Sequence, residues 1–336
     1  MALSFVFRWG AVFLPFAALP AGAKAEPPSL QVPVRCRIGV ECFVQNYVDR
    51  DPGPGARDFA EGRLTYDGHK GTDFRVPDLG AMRRGVAVVA AAPGVVTRIR
   101  DGEEDVSIRQ SGGAKPGREA GNAVVIGHGD GWETQYSHLR RGSLAVKPGD
   151  RVDAGAPLGE IGLSGNTEFP HVDFSVRHEG RVVDPFVGED GVREKAAKTA
   201  PEVEGLWSPQ ARETLAYRPS GLLGAGFAAE PPKAEKARDG AYNAERLPAD
   251  TPALGVWAEF FGGREGDRMS LQVTGPDGRR LHASNGVVPR PLAVLFVGAT
   301  VPKPAQAWPP GFYRVTVTLS HGKDVVVREE RSVELR

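Results

Sequence analysis

From Leu64 to about Phe186 the pattern of apolar and polar positions has a β texture, which predicts short strands rather than helices. The clearest run is His171 to Arg177, where His171, Asp173 and Ser175 fall on one face and Val172, Phe174 and Val176 on the other. Asn122 to Ile126 and Trp132 to His138 flank the glycine-rich turn Gly127 to Gly131, a hairpin pattern. Gly85 to Ala90 and Gly94 to Ile99 flank a second turn, Ala92-Pro93-Gly94. Strands return at Leu254–Phe261, Met269–Thr274, Pro291–Val297 and Phe312–Leu319, with turns at Gly275–Gly278 and Pro309–Gly311. The expected organisation is a segment 1–25 of different character, an irregular lead-in over 26–62, a β core over 63–188, a linker over 189–250 and a β-sandwich of immunoglobulin-like type over 251–336.

Composition sharpens this picture in three ways. The chain has 336 residues with 43 glycines and 28 prolines, a turn density that suits many short strands. Its 42 basic residues balance its 42 acidic ones, so no nucleic-acid partner held by bulk charge is expected. Residues 1–25 carry Arg8, an apolar run from Trp9 to Leu19 and then small residues, which reads as a secretory signal peptide cleaved after Ala23 or Ala25. The apolar run falls short of the roughly 20 residues a spanning helix needs, so no stable membrane span is expected after cleavage. In an oxidising compartment, the two cysteines, Cys36 and Cys42, are expected to form a local disulfide.

Candidate chemistry gathers in the first β region. His69 and Asp73 lie four apart, between glycines that disfavour a helix, and share a face if the segment is extended. His171 and Asp173 share a face of a predicted strand, and His138 ends another. Two such pairs brought together would supply three N/O ligands and a spare imidazole, the donor set of an open catalytic zinc site. Other candidates lead elsewhere: His128 and Asp130 lie in the glycine turn, and His178, His282 and His321 sit beside turns and are expected to be exposed. Gly162-Leu163-Ser164-Gly165 lacks the last spacing of a nucleophile elbow. Trp132 and Tyr136 could line a groove or pack as ordinary strand residues.

Taken together, the string resembles the lysostaphin-type (LytM-like) zinc endopeptidases, which cut peptide cross-links in bacterial peptidoglycan. The resemblance runs from about Gly68 to Pro185. Its landmarks are His69-Lys70-Gly71-Thr72-Asp73, Ala91-Ala92-Pro93-Gly94, Gly121-Asn122-Ala123-Val124-Val125-Ile126-Gly127-His128-Gly129, Tyr136-Ser137-His138-Leu139, Lys147-Pro148-Gly149-Asp150, Gly162-Leu163-Ser164-Gly165-Asn166-Thr167 and Pro170-His171-Val172-Asp173. It implies an antiparallel LytM-like β core that binds Zn2+ through His69, Asp73 and Asp173, with His138 and His171 as catalytic residues. It also implies peptidoglycan peptides as substrate; the signal peptide for its part implies export across the inner membrane, to the periplasm. The sequence departs from the family at Asp173, where the closing His-x-His motif has its second histidine. One His and two Asp neutralise the dication formally, which predicts a weaker Lewis acid. Two readings follow: a metalloendopeptidase, or a non-catalytic member that binds peptidoglycan or regulates another hydrolase.

Overall fold

In a computed structural model, residues 26–188, 205–305 and 307–336 are described. The expected signal peptide lies outside them, as does the first part of the expected linker. The first unit contains β1 (Phe43–Asn46), β2 (Thr72–Arg75), β3 (Ala87–Val89), β4 (Gly94–Arg100), β5 (Asn122–Gly129), β6 (Trp132–Leu139), β7 (Arg151–Val152), β8 (Pro157–Glu160), β9 (His171–His178) and β10 (Arg181–Val183). Its main sheet runs β1-β2-β9-β6-β5-β4-β7, with β10 paired to β9, and all of its pairs are antiparallel. A second, two-stranded sheet joins β3 to β8.

The alternation read from the sequence explains how β9 sits. Val172, Phe174 and Val176 are fully buried in the core, packed with Phe74 and Tyr136 from the neighbouring strands. The opposite face of β9 is polar, yet His171 and Ser175 are also buried and Asp173 is half-buried. The polar face of β9 is therefore covered by other parts of the chain and is not a solvent-facing surface. Tyr136 belongs to the core: its hydroxyl accepts from Ala91 N at 2.7 Å. Trp132 stacks on His178 with ring centroids 4.3 Å apart. Packing, rather than groove lining, accounts for both.

The lead-in has more structure than the sequence suggests. β1 forms the edge of the main sheet beside β2, and the Cys36–Cys42 disulfide closes the loop just before it. Tyr47 packs edge-on against Phe59 and Phe186 at 5.1 Å each. These contacts join residues far apart in the chain and have no local periodicity, so the sequence shows no sign of them.

The described part of the segment expected as a linker, residues 205–250, also folds. Leu206, Trp207, Ala211 and Leu215 are buried in the first core, around helix α3, the third in the chain after α1 (Leu79–Arg84) and α2 (Ile108–Ser111), at Pro209–Thr214. β11 (Gly221–Ala228) pairs with β13 (Ala253–Gly263). α4 (Ala234–Arg238) and β12 (Arg246–Leu247) lie between them. The charged residues of this stretch mask apolar positions spaced too irregularly to read as one element.

The C-terminal unit adds β14 (Arg268–Thr274), β15 (Arg280–Val287), β16 (Leu292–Pro302), β17 (Gly311–His321) and β18 (Asp324–Leu335). A three-stranded sheet, β11-β13-β16, and a five-stranded sheet, β12-β18-β17-β14-β15, share one core. Leu254, Val256, Ala258 and Phe260 of β13 face Val315, Val317 and Leu319 of β17 within it. β15 and β18 extend the predicted strand set; β15 has weak apolar alternation, and a charged stretch interrupts β18. Phe261, on the other face of β13, is buried in the first unit's core, with its ring 6.0 Å from that of Phe43. No helix among the described residues is long and apolar enough to cross a membrane.

Candidate metal centre

Sheet register brings the acidic pair together. Asp73 on β2 lies directly opposite Asp173 on β9. Cross-strand partners share a face, so both carboxylates project to the same side of the sheet. His69 lies just before β2, and its Nε2 is 3.1 Å from Asp73 Oδ1. One ligand atom each from His69, Asp73 and Asp173 lies within 4.8 Å of the others. The three residues that the family resemblance implies as ligands therefore converge.

His171 also faces Asp73, with its Nε2 3.5 Å from Oδ1. His138 needs a further device to join them. On a regular strand it would point to the core side with Tyr136, away from Ser137 and Asp173. The β5–β6 register slips between Val124↔Tyr136 and Asn122↔Leu139, leaving an extra residue on β6. His138 takes a left-handed φ of +62° within this bulge. The bulge re-aims its ring to 4.7 Å from that of His171.

Backbone carbonyls set the tautomer of all three imidazoles. The Nδ1 atoms of His69, His138 and His171 lie 2.8, 2.7 and 2.9 Å from Tyr47 O, Ser164 O and Phe169 O. A carbonyl cannot donate, so each Nδ1 carries the proton and each Nε2 is left to face inward. The Nε2 lone pair of His69 thus meets a carboxylate oxygen at 3.1 Å, which requires a proton or a metal cation between them.

The electrostatics agree. Burial alone would lower the pKa of His69, but the charge of Asp73 and their hydrogen bond hold it up at about 9. Burial would raise the pKa of Asp73, but His69 and His171 hold it well below the usual carboxylate range. Burial and then the charge of Asp73 push Asp173 upward. Burial lowers His171 to about 4 and lowers His138 as well. Two facing carboxylates with a single raised imidazole form a cluster short of positive charge.

These donors suit a zinc ion: one imidazole nitrogen and two carboxylate oxygens are accepted zinc ligands, with the outer nitrogen of the imidazole already tied to a carbonyl. Tetrahedral zinc with bonds of about 2.1 Å needs donor separations of about 3.4 Å, and the donor atoms here lie within 4.8 Å of one another.

Several supporting groups gave no sequence signal. Asn46, at the end of β1, donates from Nδ2 to Asp73 Oδ2 at 2.7 Å. The Tyr66 ring stacks on His69 at 4.4 Å. The Phe169 ring lies 4.7 Å from the His171 ring, and the buried Arg75 guanidinium sits 4.6 Å over it. Asn46 and Tyr47 lie in the stretch read as an irregular lead-in, more than twenty residues before the groups they hold.

The remaining histidines lie elsewhere. His128 bridges Pro93 O and Thr134 Oγ1. His178 ends β9 and contacts Asp130 O at 3.0 Å. His282 is half-buried on β15, and only His321 is as exposed as expected, paired with Asp267.

Residues 67–185 match Peptidase family M23. Over 115 residues the chain is 32% identical to the peptidoglycan DD-endopeptidase ShyA of Vibrio cholerae, covering 34% of this chain and 21% of that protein. Over 117 residues it is 33% identical to the DD-carboxypeptidase/endopeptidase Mpg of Neisseria meningitidis, covering 35% and 22%. The cell division protein DipM of Caulobacter vibrioides is 33% identical over 113 residues, covering 34% and 17%. The chain thus spans about a fifth of the length of these relatives. Among solved structures, the catalytic domain of the prophage-encoded M23 protein EnpA from Enterococcus faecalis aligns with 44% of this chain and 91% of its own, at 24% identity and a TM-score of 0.31. Residues 67–185, which contain all five converging side chains, are a Peptidase family M23 domain.

Proposed function

We propose that the protein is an exported zinc-dependent endopeptidase that hydrolyses peptide cross-links of bacterial peptidoglycan. One observation carries this reading: His69, Asp73 and Asp173 converge within 4.8 Å, on a domain whose relatives are named peptidoglycan endopeptidases. The signal-like residues 1–25 support export to the periplasm. In this reading His69, Asp73 and Asp173 hold the ion. When bound, zinc supplies Lewis-acid polarisation and an acidified water. His138 and His171 act beside it as general base and charge stabiliser. Burial keeps both neutral at neutral pH, and each offers an unprotonated Nε2 beside the cluster that can accept a proton as general base and, once protonated, donate to developing negative charge. The β6 bulge and the carbonyls of Ser164 and Phe169 hold those nitrogens in place.

The second reading, a non-catalytic peptidoglycan-binding or hydrolase-regulating member, is favoured by one feature, the aspartate at 173. Two measurements separate the readings. Purified protein is expected to contain one zinc per chain, and Asp173→Ala to contain much less; absence of zinc from both sinks the metal site. Muropeptide release from purified sacculi is expected to be abolished by a chelator and restored by zinc. No release at any zinc concentration leaves the non-catalytic reading standing.

A further inference from the structure

Asp173 is shorter than an imidazole, and its carboxylate turns on a soft torsion, so an unheld aspartate would spread its oxygens over many orientations. The structure surrounds it with two features that restrict it. Ser175 is two residues along β9, on the same face, buried at 2% exposure, and its hydroxyl donates to Asp173 Oδ1 at 3.2 Å. Gly71, in the turn before β2, leaves open the space that this carboxylate fills. A Cβ there would lie 1.7 Å from Asp173 Oδ1 and 3.0 Å from Ser175 Oγ. Neighbouring groups on this face are occupied with one another: Gln135, opposite Ser175, donates to Ser137 Oγ at 2.9 Å and accepts from Arg177 at 3.1 Å.

We propose that Ser175, beside the space that Gly71 leaves open, forms a cradle for the acidic third ligand and is the positioning residue that makes Asp173 a competent metal donor. The hydroxyl fixes the carboxylate plane from one side, and the missing side chain at Gly71 lets the carboxylate lie against β2. The inference rests on the metal-site reading above and extends it: the departure at 173 has a built partner at 175. A hydroxyl donor suits a carboxylate acceptor, whereas a ligating imidazole needs an acceptor for its outer N–H.

Zinc affinity, measured by competition with a chromophoric chelator, tests this without relying on turnover. Ser175→Ala is expected to weaken zinc binding by about 10-fold or more, within the range for groups that orient metal ligands. Ser175→Thr, which keeps the hydroxyl, is expected to bind within a few-fold of the wild type, while the nearly isosteric Ser175→Val is expected to weaken like alanine. A merely structural serine would not produce that split. Gly71→Ala is expected to lose more than Ser175→Ala, because the carboxylate itself must move. In an Asp173→His background the effect of Ser175→Ala is expected to disappear, since the group it positions is gone. Equal affinity for the threonine, valine and wild-type proteins overturns the cradle alone, as does a full Ser175→Ala loss in the Asp173→His background. A wild-type protein that binds no zinc overturns the metal-site reading together with it. Should Ser175→Ala fail to fold, the threonine and valine pair carries the comparison.

Discussion

Both units of the molecule contain a buried aspartate beside a histidine, and only one of the two pairs forms a candidate metal site. In the C-terminal sandwich, Asp267 accepts from His321 Nδ1 at 2.8 Å and from the Arg264 backbone N–H at 2.9 Å. His321 is half exposed, and Arg264 lies near its other nitrogen at 3.5 Å. Donors and cations satisfy that carboxylate, and among the described residues it belongs to no cluster of three or more metal-ligating side chains, so the pair is a loop fastener. In the first unit, Asp73 faces a second carboxylate and two imidazoles whose outer nitrogens are already tied to carbonyls. A His–Asp pair by itself is therefore uninformative. The informative features are an excess of acceptors over donors and a register that aims several of them at one point.

The largest expected effect breaks this comparison directly. Asp73→Ala should lower zinc affinity by more than 1000-fold and abolish hydrolysis, whereas Asp267→Ala should leave zinc content unchanged. Elemental analysis of both purified variants is the check. If Asp267→Ala loses zinc in parallel with Asp73→Ala, the two pairs do not differ in the way proposed.

A smaller effect tests the support on the acid. Asn46→Ala removes the amide that holds Asp73 Oδ2 and should weaken zinc binding by about 10- to 100-fold, the usual range for a group orienting a ligand. Titration with a competing chelator reads this, and unchanged affinity would make Asn46 a packing residue only. In the sandwich, Asp267→Ala should cost about 1–3 kcal/mol of stability in urea unfolding, the penalty for leaving buried donors without their acceptor.

A third buried aspartate sharpens the comparison through pH. Asp184 pairs with a guanidinium rather than an imidazole: Arg50 lies 4.0 Å from it. Burial raises its pKa to about 6, against the lowering by the Phe186 backbone N–H and Arg50. Its folded pKa is thus above its unfolded value of about 3.9. The associated stabilisation is fully present below about pH 3.9 and is lost as pH rises through about 6, on the order of 2–3 kcal/mol. Asp184→Asn should remove that part of the pH dependence, read as the difference between wild-type and variant unfolding curves from pH 4 to pH 7. Parallel curves would show that Asp184 titrates normally.

How legible the molecule was depended on the range of the interactions. Local alternation marked β9 and the β5–β6 hairpin, and short spacings marked the same-face pairs, because side chains on a strand repeat every two residues whatever the rest of the chain does. The same rule would have sent His138 to the wrong side; a bulge, a relation between two strands, corrected it. The lead-in and the expected linker were misjudged for the same reason. Asn46, Tyr47 and Trp207 act through contacts with residues distant in the chain, and their neighbours show no period.

By itself, then, the sequence determined which side chains are available for chemistry, which of them share a strand face and where the chain turns, all consequences of covalent geometry over a few residues. Tertiary structure alone decided that Asp73 would oppose Asp173, that Tyr47 O, Ser164 O and Phe169 O would turn three imidazoles inward, and that Ser175 and the bare Gly71 would frame the aspartate. Those are matters of strand register and long-range docking, set by how the buried faces fit together, and no local pattern encodes them.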